Sequence, residues 1–164
     1  MDDQGDMFDP LLSRTRDEFQ RLLVSEGGHC PVCDRWGKVY KRPLNATMVK
    51  ALAWIWRLSH SGRQWVDVPE AARNNPGTYD HTKQYSTLKY WGFLDHKANV
   101  DKPEQKESGV WKPTVLAGLF LMGKAPVPLH VYTYNDELRR KGHEVVYVRD
   151  IIDGFDYRKI MLPL

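Results

Sequence analysis

The chain has 164 residues, of which 41% are hydrophobic and 27% charged, with a formal net charge of +3. A chain of this length buries roughly 70% of its unfolded surface, enough for a core without staples, and the composition is that of an ordinary soluble globular protein. It contains no apolar run of the roughly 20 residues that a membrane span needs, and it starts on the acidic segment Met-Asp-Asp-Gln-Gly-Asp rather than a basic secretory leader, so the sequence predicts a cytoplasmic protein that does not contact membrane.

From residue 10 to 25 the spacing is helical, with Leu12, Phe19, Leu22 and Leu23 on one face and Gly27-Gly28 as the stop. A Cys-Pro-Val-Cys segment follows, and residues 39–44 read as extended. Asn45 suits an N-cap, and the next helix runs to about Ser59 with Met48, Leu52, Ile55 and Trp56 as its inner stripe. Gly62 ends it. Residues 65–68 read as a short strand, and Pro69 opens a small helix to Asn74. A strong helix is expected over 79–91, with Tyr85 and Leu88 facing inward and Gly92 as the stop. Phe93-Leu94 enters a strand, a polar loop spans 97–108, and residues 109–112 return as a strand. Thr114 caps a helix over 115–122, closed by Gly123. Pro126 and Pro128 form a stiff connector, residues 131–134 and 145–148 alternate like the arms of a hairpin, and the tail from 150 forms a last short helix.

The order helix, short strand, helix, helix, strand, loop, strand, helix resembles that of a winged helix. Tyr85-Ser86-Thr87-Leu88-Lys89-Tyr90-Trp91-Gly92-Phe93-Leu94 is similar to the junction of a recognition helix with the first wing strand. Trp111-Lys112-Pro113-Thr114-Val115-Leu116-Ala117-Gly118 resembles the return strand and its turn into the next helix, with Pro113 in place of the usual apolar residue. The resemblance covers about residues 45–123. Most of the chain also resembles small bacteriophage proteins that join a Cys-x-x-Cys knuckle to a winged helix, through Cys30-Pro31-Val32-Cys33, Tyr40-Lys41-Arg42-Pro43-Leu44-Asn45 and Lys89-Tyr90-Trp91-Gly92. That resemblance implies a regulatory or host-directed role in a host cytoplasm. The expected fold is α+β: an N-terminal helix and zinc knuckle over 1–44, a winged helix over 45–123 and a C-terminal β-hairpin extension over 124–164.

A helix of about twelve residues spans roughly 18 Å and fits the DNA major groove. With Tyr85 and Leu88 inward, its outer face presents Thr82, Lys83, Ser86, Lys89 and Tyr90, with no carboxylate among them. Between Asp34 and Asp67 there is no acidic residue, while Arg35, Lys38, Lys41, Arg42, Lys50, Arg57 and Arg63 supply a positive field; Lys41 and Arg42 are the phosphate contacts expected from this stretch. The loop over 97–108 balances Lys97, Lys102 and Lys106 against Asp101, Glu104 and Glu107, which makes it a weak phosphate clamp.

Two cysteines two residues apart in a reducing compartment point to metal rather than to a disulfide. Cys30 and Cys33 supply half of a tetrahedral Zn²⁺ site. His130 and His143 are the expected completing ligands, with His29, His60, His81 and His96 as others and a site shared across a homodimer as an alternative. A glutaredoxin-like redox role needs a long helix after the motif, and Gly37 and Pro43 come too soon for one. Asp80-His81 and Asp95-His96 stand apart from the cysteines, and no phosphate loop, metalloprotease helix or nucleophile elbow is present. The sequence therefore predicts a non-enzymatic accessory protein that binds DNA or RNA. The alternative is a protein-interaction module acting on a host or viral machine such as a polymerase or defence complex.

Overall fold

The computed structural model describes residues 9–75, 84–98 and 109–162. It is a mixed α+β chain with small antiparallel sheets. The chain forms two compact units: residues 1–42 with 132–141, and residues 43–131 with 142–164. Residues 132–141 thus group with the N-terminal segment.

In the first unit, helix α1 (Asp9–Val24) ends where Gly27, at φ +87°, lets its N–H donate to the Leu22 carbonyl at 2.8 Å. The Val39 N–H donates to the Leu23 carbonyl at 2.7 Å and satisfies a further helix-end group. Strands β1 (Gly28–His29) and β2 (Trp36–Gly37) pair antiparallel around the cysteine segment. The expected inner face of α1 is only partly realised. Leu23 is buried and Phe19 half-buried, but Leu12 is 60% exposed and Leu22 is 40% exposed. The helix packs on β1 at its C-terminal end, so burial is confined to that end.

Strand β3 (Tyr40–Pro43) lies beside β8 (His130–Tyr134), and β8 beside β9 (Glu137–Lys141). The turn between β8 and β9 is Asn135-Asp136, at φ +51° and +59°. Two successive left-handed residues make the tight hairpin turn whose twist matches that of the strands. This corrects the expected hairpin. Residues 131–134 pair with the strand directly after the turn, and Val145–Val146 (β10) pairs instead with Val127–Pro128 (β7). Pro128 lacks an N–H, and it is tolerated in this two-stranded ribbon because each strand has an open edge.

The second unit is built on α2 (Ala46–Leu58). The Asn45 side chain accepts from the Met48 N–H at 3.0 Å, as a cap should. The expected stripe Met48, Leu52, Ile55 and Trp56 is buried, and so are Val49, Ala51 and Ala53. The helix stops at Ser59, whose hydroxyl donates to the Trp56 carbonyl and accepts from the Gly62 N–H, with His60, Ser61 and Gly62 all at positive φ. Strand β4 (Val66–Asp67) leads into α3 (Val68–Asn74), where Asp67 caps the Glu70 N–H at 2.9 Å.

The helix expected over 79–91 is corrected in its described part. Residues 79–83 lie outside the described residues, and Tyr85–Trp91 is a 3₁₀ helix (η1). Three residues per turn eclipse positions i and i+3, which stacks Tyr85, Leu88 and Trp91 toward the core. Gly92, at φ +78°, ends it as expected. Strands β5 (Leu94–His96) and β6 (Val110–Pro113) pair antiparallel, and β4 adds to β6 to give the order β4-β6-β5. Thr114 caps α4 (Val115–Leu121). The tail folds as two short helices rather than one, α5 (Val148–Ile151) and α6 (Tyr157–Met161). The Trp56 indole N–H donates to the Tyr157 hydroxyl at 3.0 Å, and that of Trp91 to the Pro128 carbonyl at 2.7 Å.

Two substitutions test this core. Leu88 is fully buried, so Leu88→Ala should lower stability by about 2–5 kcal/mol in urea or thermal melts. A Cβ on Gly118 would stand 2.4 Å from the Trp56 ring. Gly118→Ala should therefore destabilise by about 1–3 kcal/mol through overpacking, although alanine is the better helix former; a melt unchanged from wild type would show that this contact is slack.

Candidate functional site

Of the expected recognition face, Ser86, Lys89 and Tyr90 lie among the described residues. Tyr90 is corrected outright: it is only 6% exposed and belongs to the core cluster. Ser86 and Lys89 are half-buried. The Lys89 ammonium lies 5.4 Å from the Tyr90 ring centroid. Thr82 and Lys83 lie outside the described residues, as does most of the loop over 97–108.

The expected basic stretch is divided between the two units. Lys50 and Arg57, on α2, flank a cavity of about 310 Å³ in the second unit, floored by Ala53, Trp54, Ile152, Phe155 and Ile160. Arg35, Lys38, Lys41 and Arg42 belong to the first unit.

In the first unit a larger groove, of about 690 Å³, lies between the end of α1 and the sheet β3-β8-β9. Leu23, Val24 and Val39 give it an apolar floor. Its polar lining is Gln20, Ser25, Lys38, Lys41, Arg139 and Arg140 together with Tyr40, Tyr132 and Tyr134. No carboxylate lines it among the described residues. The cations are layered on the rings: the Arg140 guanidinium carbon stands 3.6 Å from the Tyr132 centroid, that of Arg139 5.0 Å from Tyr134, and that of Arg42 5.7 Å from Tyr40. Arg42 is further fixed by donating from Nε to the buried Thr133 hydroxyl at 2.9 Å. A guanidinium resting over a ring retains its charge and its donors while losing little further side-chain freedom on binding.

Of the two residues expected to contact phosphate, Lys41 lines this groove and Arg42 lies next to it on β3. Arg139, Arg140, Tyr132 and Tyr134 were missed. The signal that could have found them is Tyr-Thr-Tyr-Asn-Asp followed by Glu-Leu-Arg-Arg-Lys, an aromatic strand and a basic strand joined by a hairpin turn.

The cysteine segment forms a closed knuckle at the tip of β1 and β2. The Cys30 N–H donates to the Arg35 carbonyl and the Asp34 N–H to the Cys30 carbonyl, each at 2.8 Å, with Asp34 at φ +56°. Hydrogen bonds from the Val32 and Cys33 backbone N–H groups, and then from the Cys33 thiol, hold the Cys30 thiol below its ordinary range, against the opposing effect of partial burial. His29 Nδ1 lies 2.8 Å from the Asp34 carbonyl oxygen. A carbonyl only accepts, so Nδ1 is the donor in this bond. The ring meets Trp36 edge-on at 5.3 Å. Among the described residues no group of three or more His, Cys, Asp or Glu side chains could hold a metal ion. Cys30 and Cys33 thus stand as a pair. His130 begins β8 and is half-buried, and His143 is exposed after β9; both belong to the second unit.

The chain matches no protein-family model, no curated protein and no solved structure.

The depressed Cys30 thiol gives a direct readout. In the Cys33→Ser variant, which keeps a hydroxyl donor, the alkylation rate of Cys30 should rise with a midpoint below the ordinary 9.0. In urea the midpoint should return to that of an unfolded thiol. Identical pH profiles in the folded and unfolded chain would mean that the N–H donors do not act on this sulfur.

Proposed function

We propose that the chain is a non-enzymatic nucleic-acid-binding accessory protein whose binding surface is the groove on the sheet β3-β8-β9. The observation that carries this reading is the set of arginines laid on tyrosines, Arg140 on Tyr132 and Arg139 on Tyr134, beside Lys38 and Lys41. Four cations in a groove whose described lining holds no carboxylate attract a polyanion and displace its counterions. The rings add contact area that a simple solvated basic face lacks.

The second unit supports a winged-helix reading through its order α2, β4, α3, η1, β5, β6, α4 and its sheet order β4-β6-β5. Under this proposal it serves mainly as the scaffold, because Tyr90 is buried and η1 is short.

We also infer that the cysteine pair holds Zn²⁺. Leu23 is the one buried hydrophobic side chain of the first unit among the described residues. A unit with so little apolar burial gains stability from a bound metal, whose binding free energy adds to that of folding. Cys30 and Cys33, with N–H groups already directed at Cys30, suit a thiolate-bound metal. Metal analysis should find about one zinc per chain, or one per two chains if two copies share the ion, and Cys30→Ser with Cys33→Ser should abolish it. A metal content near zero in native protein would remove zinc from the account.

A protein-interaction role is favoured by one observation: Leu11 is 71% exposed and Val24 69% on α1, beside Leu12 and Leu22. The nucleic-acid reading has the stronger support, because charge and stacking converge in one groove. Arg139→Ala combined with Arg140→Ala should weaken nucleic-acid binding about tenfold or more. It should also reduce the slope of log affinity against log salt by about one to two units. Both side chains are exposed, so the variant should keep its stability within about 0.5 kcal/mol. A folded double variant with wild-type affinity and slope would move the interface elsewhere.

A further inference from the structure

We propose that the groove's ligand is a single-stranded nucleic acid, with unstacked bases lying on the Tyr40 ring and on the outer face of the Arg140 guanidinium. This rests on the nucleic-acid reading above and names the form of nucleic acid it takes. In a duplex both faces of every base are covered by neighbouring pairs, and a surface protein meets only base edges and phosphates. Tyrosine rings then contribute little unless they wedge the stack open. In a single strand each base has a face to offer, and stacking on an aromatic ring is tolerant of sequence.

The groove is furnished for the second case. Three tyrosines and four cations line it together. Tyr40 carries the Arg42 guanidinium 5.7 Å from its ring centroid and is still 48% exposed, so part of its side chain is open to solvent. Tyr132 is capped by Arg140 at 3.6 Å, which turns the ring into a support for a flat cation. A guanidinium is weakly hydrated and planar, so its outer face stacks on a base while its N–H groups reach phosphate. Arg139 lies over Tyr134 at the longer distance of 5.0 Å. Lys38 and Lys41 serve as point charges for the backbone between these platforms. A cavity of about 690 Å³ falls within the 300–1,000 Å³ that accommodates ligands of several rings, in keeping with more than one nucleotide. The strands presenting these side chains are fixed by the Asn135-Asp136 turn and by the Arg42–Thr133 hydrogen bond, so the platforms are set before the ligand arrives.

The test is fluorescence anisotropy on the full chain at one moderate salt concentration. The probes are twelve-nucleotide oligo-dT, the matching oligo-rU, a duplex of the same length, and a poly-glutamate peptide of equal charge. The expected result is binding to single strands at least tenfold tighter than to duplex. A preference between the DNA and RNA strands identifies which source is used, and either supports the proposal. Tyr40→Ala should weaken single-strand binding about tenfold and leave duplex binding nearly unchanged. Tyr40→Phe should bind as wild type, because the ring and not the hydroxyl is used. Should Tyr40→Ala fail to fold, Tyr40→Leu, which keeps an apolar side chain but removes the ring, carries the same comparison. Equal or tighter duplex binding, or a folded Tyr40→Ala with wild-type single-strand affinity, would overturn the single-strand inference while leaving the nucleic-acid reading standing. Poly-glutamate binding as tight as oligo-dT would overturn it in favour of an acidic protein partner. No binding to any nucleic acid would sink both.

Discussion

Helix α2 is buried on most of its circumference, and the second unit is organised by that constraint. A helix with Met48, Val49, Ala51, Leu52, Ala53, Ile55 and Trp56 all inside must be covered from several directions. The 3₁₀ helix, α4, α5, α6 and strand β6 all pack against it. The close approach of α4 is possible because Gly118 leaves space for the Trp56 ring. That ring's N–H then needs a partner, and the Tyr157 hydroxyl supplies it from the tail. One polar residue, Ser59, is also fully buried, and its two hydrogen bonds close the end of the helix.

The first unit solves a different problem with different means. It has little apolar burial, so its order comes from hydrogen-bonded turns. Gly27 and Val39 close the end of α1, the 30–35 knuckle closes on itself, and Asn135-Asp136 reverses the chain. Such a unit leaves its aromatic and basic side chains at the surface, where they are available to a ligand. The layering of Arg140 on Tyr132 and Arg139 on Tyr134 belongs to this solution. It preserves charge while restraining the side chains that carry it. A rigid, core-rich unit and a polar, turn-rich one are thus suited to separate tasks, and the proposed binding surface falls on the second kind, as surface-borne function often does.

Local rules were enough for much of the second unit. Asn45 as a cap, the α2 stripe, Pro69 in a first turn, Gly92 as a stop and Thr114 as a cap are all settled within a few residues. Lys41 and Arg42 could be named because a run free of acidic residues is visible along the chain. The 3₁₀ winding of residues 85–91 was not legible, since apolar spacing is similar in the two helix types and the choice rests on packing Leu88 and Trp91 inward. Tyr90 was misplaced for the same reason: a phenol ring reads as polar in a sequence but is mostly apolar surface to a core.

By itself the sequence determined the α+β character, the capped helices and the knuckle turn, because each depends on contacts between near neighbours in the chain. Long-range packing set the grouping of residues 132–141 with the N-terminal unit, the pairing of β7 with β10, and the groove that Tyr40 shares with Arg139 and Arg140. The groove brings together residues about a hundred positions apart, and β7 meets β10 across more than a dozen. Strand partners are chosen by edge hydrogen bonds and side-chain fit across that distance, and no local pattern encodes which edges will meet.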